Sequence, residues 1–471
     1  MSEEAVVRLY RKRQKIHPRE ISGRFQNWRW VFVFLTQAVF YGLPWIEWNA
    51  RQAVLFDLEA RRFFLFGLVL YPQDLFYLTA LLLLSAYALF LFTAVAGRLW
   101  CGYACPQTVY TSVFLWIEAR CEGNKSQRER LDKSPWNAEK LRKRGLKHLI
   151  WIALALITGF SFVGYFTPIR TLWQELAALQ LGPWQTFWIG FYAFATWGNA
   201  GFMREQVCKY MCPYARFQSA MFDRDTLIIG YDVERGEPRG PRARKDDLKT
   251  KNLGHCIDCG LCVQVCPVGI DIRKGLQYEC IGCAACIDAC DQVMDKLQYP
   301  RGLIRYDTEN GIEQHLDRKT EWLRVLRPRV WVYSAALWLI VAAVAASLWW
   351  RPPLRFDVVR DRGALARWNE QGQLENVYRL QLMNVVERPQ RYRIRVEPVD
   401  AALTQLQLGS GTEIELGPIE ARWVPVTVHL PADTAPPAPG AHALRFVIER
   451  VAQGADSSRS VEEKSTFVVP R

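Results

Sequence analysis

From Leu75 to Gly97 the chain runs for 23 residues without a charged side chain. A helix needs about 20 apolar residues to cross the hydrocarbon core of a bilayer, so this stretch limits the possible folds more than any other feature. Four more stretches come up to that length: Trp30 to Trp48, Leu149 to Phe166, Trp184 to Met203 and Val330 to Trp350. Tryptophans such as Trp28, Trp45, Trp100, Trp184 and Trp349 cluster at their ends, as headgroup-level anchors do. The 471 residues therefore predict an α-helical bundle of five spans, and a set of ordinary soluble domains is excluded. Half the residues are hydrophobic, which also excludes disorder.

Basic residues orient the spans. Seven (Arg8, Arg11, Lys12, Arg13, Lys15, Arg19 and Arg24) precede the first apolar run, and no small-residue cleavage site follows it, so no cleavable signal peptide is expected. Eleven more lie between Arg98 and Lys147, whereas the loop from Thr167 to Pro183 has only Arg170. This pattern predicts a cytoplasmic N-terminus, five crossings and a C-terminus on the far side. Next to a membrane, such runs report topology and anionic lipid rather than nucleic acid.

All 13 cysteines fall between Cys101 and Cys290, unlike the spread of a disulfide-stapled secreted domain. Eight form two runs, Cys256-x2-Cys259-x2-Cys262-x3-Cys266-Pro267 and Cys280-x2-Cys283-x2-Cys286-x3-Cys290. Three thiolates on a tight turn plus one from a distant segment suit an iron–sulfur cube, and this is the two-cluster ferredoxin spacing. Because the fourth cysteine of each run crosses over in that arrangement, Cys256, Cys259, Cys262 and Cys290 are expected on one [4Fe-4S] cluster. Cys280, Cys283, Cys286 and Cys266 are expected on the second. Gly260, Gly282 and Ala284 would let backbone N–H groups approach the sulfides. Asp291 departs from the pattern, standing where a proline is usual. Zinc sites use two separated cysteine pairs and fit less well.

Four further cysteines form Cys101-Gly-Tyr-Ala-Cys105-Pro106 after the second span and Cys208-Lys-Tyr-Met-Cys212-Pro213 after the fourth. Tyr110 and Phe217, then Ser112 and Ser219, continue the match, which reads as a duplicated helix-plus-motif unit. A helical backbone would put both thiols of a motif on one face, while the proline favours a turn before it. Packed together, the four thiols could meet in one site. Soft thiolates suit Cu(I), with Met203 and Met211 as thioether neighbours, and a dithiol can pass electrons by reversible oxidation; buried free thiols at helix ends are the plain alternative. Cys121 reads as a plain buried thiol and His255 as a solvated loop histidine, with tuning of a cluster or proton coupling to it as the alternative. None of the six histidines lies well inside a span, which argues against a membrane haem, and no nucleotide-binding glycine motif occurs.

The expected organisation is a basic arm (1–29), a four-span part (30–222), a polar linker (223–254), a two-cluster ferredoxin-like insert (255–310), a linker (311–329), a fifth span (330–350) and a C-terminal domain (351–471). In that last domain Tyr378, Leu380, Leu382, then Tyr392, Ile394, Val396, then Val424, Val426, Val428, Leu430 alternate with polar residues. This predicts an immunoglobulin-like β-sandwich on the outer side, without cysteine or catalytic content.

The order of these parts, with His255-Cys256 through Asp271, Gln277 through Asp291 and Ser22-Gly23-Arg24-Phe25, resembles the cytochrome c oxidase accessory protein (CcoG/FixG) family over nearly the full chain. The resemblance implies a bacterial inner-membrane protein that matures cbb-type oxidases by reducing Cu(II) to Cu(I) for a copper-transporting ATPase. Cys101, Cys105, Cys208 and Cys212 would then form the copper reduction site, with copper as substrate or transient ligand. Competing expectations are a quinol-oxidising membrane polyferredoxin and a non-enzymatic Cu(I)-buffering scaffold. The electron donor and oligomeric state are left open, and no nucleic-acid partner is expected.

Overall fold

The computed structural model describes residues 15–470 except 50, 243–251, 317, 353, 362–365, 404, 410–411, 432–433, 435–436 and 452–459. Arg8, Arg11, Lys12 and Arg13 of the basic arm, and much of the 223–254 linker, lie outside the described residues. The chain divides into two compact units, one built from residues up to Phe66 and Leu70–Ala342, the other from Gly67–Val69 and Ala343–Arg471.

The first unit is helical: α1 (Arg24–Gly42), α2 (Leu75–Ala96), α3 (Leu99–Tyr103), α4 (Pro106–Glu122), α5 (Lys125–Lys133), α6 (Ala138–Val163), α7 (Ile169–Ala177), α8 (Pro183–Thr196) and α9 (Pro213–Met221). Among the described residues three helices are long and apolar enough to cross a membrane: Pro72–Ala96, Ala138–Val163 and Pro328–Trp349. The other two apolar stretches behave differently. The first begins earlier than expected, at Arg24, and stops at Gly42 before Pro44. The fourth is a 14-residue helix that continues into a π-helical turn, Trp197–Met203. Neither is among those three helices, so the described helices carry three of the five expected crossings.

α6 packs on α8 where Gly159 admits it, since a Cβ there would stand 2.4 Å from the Ile189 carbonyl. At the other end of α6, Trp151 stacks on Phe114 of α4 at 5.1 Å and donates to its carbonyl. Beneath this pair lies a buried charge cluster: Glu118 bonds Arg204 at 2.5 Å, and Lys147 bonds Glu122 at 2.6 Å. Burial alone would raise the Glu118 pKa, but Arg204, Lys15 and Lys147 outweigh it and hold the carboxyl down to about 2. Between the first two apolar stretches Val54–Asp57 pairs with Arg62–Leu65 as an antiparallel hairpin.

The iron–sulfur insert begins before its expected boundary. Residues Ile228–Tyr231, assigned above to the linker, pair antiparallel with Ile304–Asp307 and close the lobe. Their alternate side chains face a core with Ile272, Ile287, Met294 and Leu303, which a solvated linker could not supply. The departure at Asp291 also has a physical reason. Pro267 follows the short helix Leu261–Gln264, whereas Asp291 lets Ala285–Leu297 continue as one helix and accepts from the Gly302 N–H at 3.1 Å.

In the second unit two antiparallel sheets form a sandwich. One orders Gln407–Leu408, Ala421–His429, Leu374–Asn384 and Leu354–Arg360; the other orders Glu413–Leu416, Gln390–Pro398, Gly440–Arg450 and Ser460–Val469. The alternation resolves as expected, with Tyr378, Leu380, Leu382, Tyr392, Ile394, Val426 and Val428 all buried. Each such side chain contributes about 1.5–3 kcal/mol, so a core of this size explains how the domain stands without disulfides.

Candidate iron–sulfur and thiol site

Each cysteine run is shaped by the same backbone device. Asp258 and Gly260 take left-handed conformations around Cys259, and Gly282 and Ala284 do so around Cys283. The reversals curl each Cys-x2-Cys-x2-Cys turn around a hollow, and the helices after Gly260 and Ala284, the first short and the second 13 residues long, carry Cys262 and Cys286. Two small cavities then sort the thiols. Cys256, Cys259, Cys262 and Cys290 line one, with Tyr231, Met294 and Leu303. Cys266, Cys280, Cys283 and Cys286 line the other, with Ile229 and Ile272, and Cys262 stands between the two. Cys290 thus lines the cavity of the first run and Cys266 that of the second.

Among the described residues no three His, Cys, Asp or Glu side chains close to single-ion spacing. Four thiols around each hollow, brought from a tight turn and a distant segment, fit a cube of iron and sulfide. Burial pushes Cys262 up to about 11, and Cys280 and Cys290 up to about 12. Such thiols stay protonated at neutral pH unless a metal supplies the compensating charge.

The Cys-x3-Cys-Pro motifs adopt the turn rather than the continuous helix. Cys101 lies in α3 and Cys208 in a π-helical turn, Val207–Met211. Cys105 and Cys212 then cap α4 and α9 with extended backbone, as a residue before proline does. The four thiols are near neighbours. Burial pushes Cys101 up to about 11, with the Cys105 thiolate next in importance. Burial and then Cys105 and Cys101 push Cys208 up to about 12, and burial raises Cys105. They do not close on one ion, and Met211 is exposed.

Both motifs sit against the second run. Cys101 and Cys208 pack on the cluster of Val265, Val268, Ile281, Cys283 and Ala285 that Cys266 and Cys280 also border. α3 makes this contact backbone to backbone, since a Cβ on Gly102 would fall 2.6 Å from the Gly282 carbonyl. Arg98 ties the seam by donating to the carbonyls of Cys280 and Ala215, and Lys209 donates to Val268 at 3.2 Å.

Several contributors had no sequence signal of their own. Buried Gln218 accepts from the Cys101 thiol at 3.5 Å and reaches Thr93 on α2. Asp288, between two cysteines of the second run, accepts from the N–H groups of Phe25 and Gln26 and so caps α1 from across the molecule. Gly23 has to be glycine there, because a Cβ would lie 2.4 Å from the Asp288 carboxyl carbon. His255 is no loose loop residue: Arg235 donates to it at 2.7 Å and it stacks on Tyr299. Cys121 is a half-buried thiol packed beside Phe114 and Trp151.

Comparison with known proteins agrees with this division. Residues 203–309 match a family model described as a 4Fe-4S dicluster domain, and residues 78–120 one described as a 4Fe-4S binding domain. The chain is therefore an iron–sulfur protein of the electron-transfer class, associated with a membrane. Residues 344–470 match the IG-like fold at the C-terminal of FixG. The chain is 38% identical over 454 residues to the nitrogen fixation protein FixG of Rhizobium meliloti (strain 1021), covering 89% of this chain and 87% of that one. It is 39% identical over 419 residues to protein RdxA of Cereibacter sphaeroides, covering 86% and 87%. It belongs to the FixG family. A solved FixG-related protein from Vibrio parahaemolyticus covers 25% of the chain at 21% identity, with a TM-score of 0.20 that carries no argument.

Proposed function

We propose that this protein is a cupric reductase of the bacterial inner membrane that supports assembly of cbb-type cytochrome c oxidase. Cys256, Cys259, Cys262 and Cys290 hold one [4Fe-4S] cluster, and Cys266, Cys280, Cys283 and Cys286 the other. When bound, these clusters supply single electrons, the unit that Cu(II) takes up on becoming Cu(I). Cys101, Cys105, Cys208 and Cys212 receive copper as substrate. Thiols that raise one another's pKa make a place where a soft cation is favoured. Gln218 holds the Cys101 sulfur, Arg98 ties the first motif to the second run, and Lys209 ties the second motif to Val268 just past Cys266. The chain crosses the membrane five times, with the N-terminus and iron–sulfur insert cytoplasmic and the sandwich periplasmic. Cu(I) then passes to the assembly factors, a copper-transporting ATPase among them.

The observation that carries this reading is the packing of Cys101 and Cys208 on the second run. It is tested on anaerobically purified protein: dithionite-reduced clusters are mixed with stoichiometric Cu(II), following cluster re-oxidation and Cu(I) capture by a chromophoric chelator. Wild type is expected to make Cu(I), while a variant with the four motif cysteines changed to Ser keeps its clusters and does not. Equal oxidation of both proteins, or re-oxidation only by a quinone analogue, overturns cupric reduction and favours quinone-linked transfer.

A second reading draws on the match of residues 78–120 to a 4Fe-4S-binding model: the four motif thiols hold iron themselves. Iron analysis separates the two, at about eight iron atoms per chain for two clusters and about twelve for three.

A further inference from the structure

Apart from the site already described, the helical unit holds a cavity of about 630 Å³ beside the first turns of α1. Its walls carry four arginines, Arg19, Arg29, Arg120 and Arg128, against a single carboxylate, Glu20. Arg29 donates to two neutral groups, the Gln26 side chain at 2.9 Å and the Ser112 hydroxyl at 3.1 Å. Arg128 is almost wholly buried and donates to the Pro18 carbonyl at 2.8 Å, with Glu118 at 3.9 Å. Arg120 lies over the Trp116 ring, and Trp116 meets Trp30 edge to face at 6.3 Å. A concave site with this excess of guanidinium groups is built for a phosphate-bearing anion.

Its surroundings select the source of that phosphate. Directly beyond the cavity α1 exposes Trp28, Val31, Phe34 and Leu35, with Phe34 69% exposed. An apolar face continuous with an arginine-lined hollow and two tryptophans matches a lipid, with acyl chains on the helix and headgroup in the hollow. We propose that this cavity binds the headgroup of an anionic phospholipid. Its far wall is Val265, Pro267 and Ala285, the neighbours of Cys266 and Cys286, so the bound headgroup fastens the iron–sulfur insert to the membrane surface beside the second cluster. The inference rests on α1 lying in the membrane.

The test uses the full chain in phosphatidylcholine vesicles with and without phosphatidylglycerol, counting retained lipid by native mass spectrometry. Wild type is expected to keep one phosphatidylglycerol per chain. R29Q/R120Q should lose retention roughly thirtyfold, from about 1 kcal/mol per basic residue, while R142Q/K143Q, with the same charge loss on α6, keeps it. Equal retention by R29Q/R120Q and wild type overturns the proposal, as does full competition by inorganic phosphate, which would mark a free-phosphate site. A second arm needs no variant: a photo-crosslinking phosphatidylglycerol should label peptides within 15–42 and 106–122, and labelling confined elsewhere overturns the site. A chain that enters no vesicle at all instead refutes the membrane reading beneath it.

Discussion

Cys259, in the first run, is exposed to solvent, whereas its counterpart Cys283 in the second is buried against α3. The two runs share their spacing, and their difference comes from the residue just before each of these cysteines. Asp258 turns its carboxylate outward to Arg273, which also bonds Asp271 at 2.8 Å. Gly282, in the same left-handed conformation, leaves no side chain between its loop and the backbone of Arg98 and Gly102. One run therefore faces water behind a fringe of ion pairs, and the other is seated backbone to backbone under the paired thiol motifs. Ligand spacing builds a cluster site, and the small residues around it decide what that site touches.

The contrast is most strongly broken by giving the second run the first run's residue. Gly282→Asp is expected to unseat the lobe from α3 and cost at least about 3 kcal/mol, through overpacking and a buried charge. Electron paramagnetic resonance should show the second cluster's signal altered and the first unchanged; an unperturbed spectrum and Tm would contradict the seam. Asp288→Ala should cost about 1 kcal/mol, the worth of a helix cap, and expose the Gly23 peptide to limited proteolysis.

On the water-facing side, effects should be smaller. Arg273→Gln should cost about 1 kcal/mol, since its contact with exposed Asp258 is worth little and its contact with partly buried Asp271 somewhat more. The Asp271 carboxyl is held below the ordinary carboxylate range chiefly by its hydrogen bond from Arg273. Its contribution is therefore present above about pH 4 and lost as acidification protonates it. The acid limb of the stability profile should flatten in the variant, measurable by denaturant unfolding. On the buried side, Ala284→Gly should shift stability by less than about 1 kcal/mol, because relief of a left-handed alanine is offset by loss of a methyl packed in the core; a larger loss would mean that packing dominates.

Much of the candidate site was legible because iron–sulfur ligation is a matter of cysteine spacing, and the crossover at Cys266 and Cys290 follows from it. The sandwich was legible because period-two alternation survives in Tyr378, Leu380 and Leu382. The strand at 228–231 was not, because its Gly/Tyr-containing segment adjoins a polar stretch and pairs only with residues more than 70 positions away. The proline in each thiol motif left helix and turn open until the caps at Cys105 and Cys212 were seen.

By itself the amino-acid sequence determined the two four-cysteine runs, three of the apolar helices of spanning length and that the C-terminal domain is a sandwich without cysteine. These are properties of neighbours along the chain, carried by period, spacing and local charge. Only the tertiary structure decided that Asp288 caps a helix more than 260 residues earlier, that Gln218 holds Cys101, and that the paired motifs lie against the cavity of Cys266, Cys280, Cys283 and Cys286 rather than the other one. Such contacts depend on glycines that admit a close approach and on partners brought together by packing, and no local pattern records them.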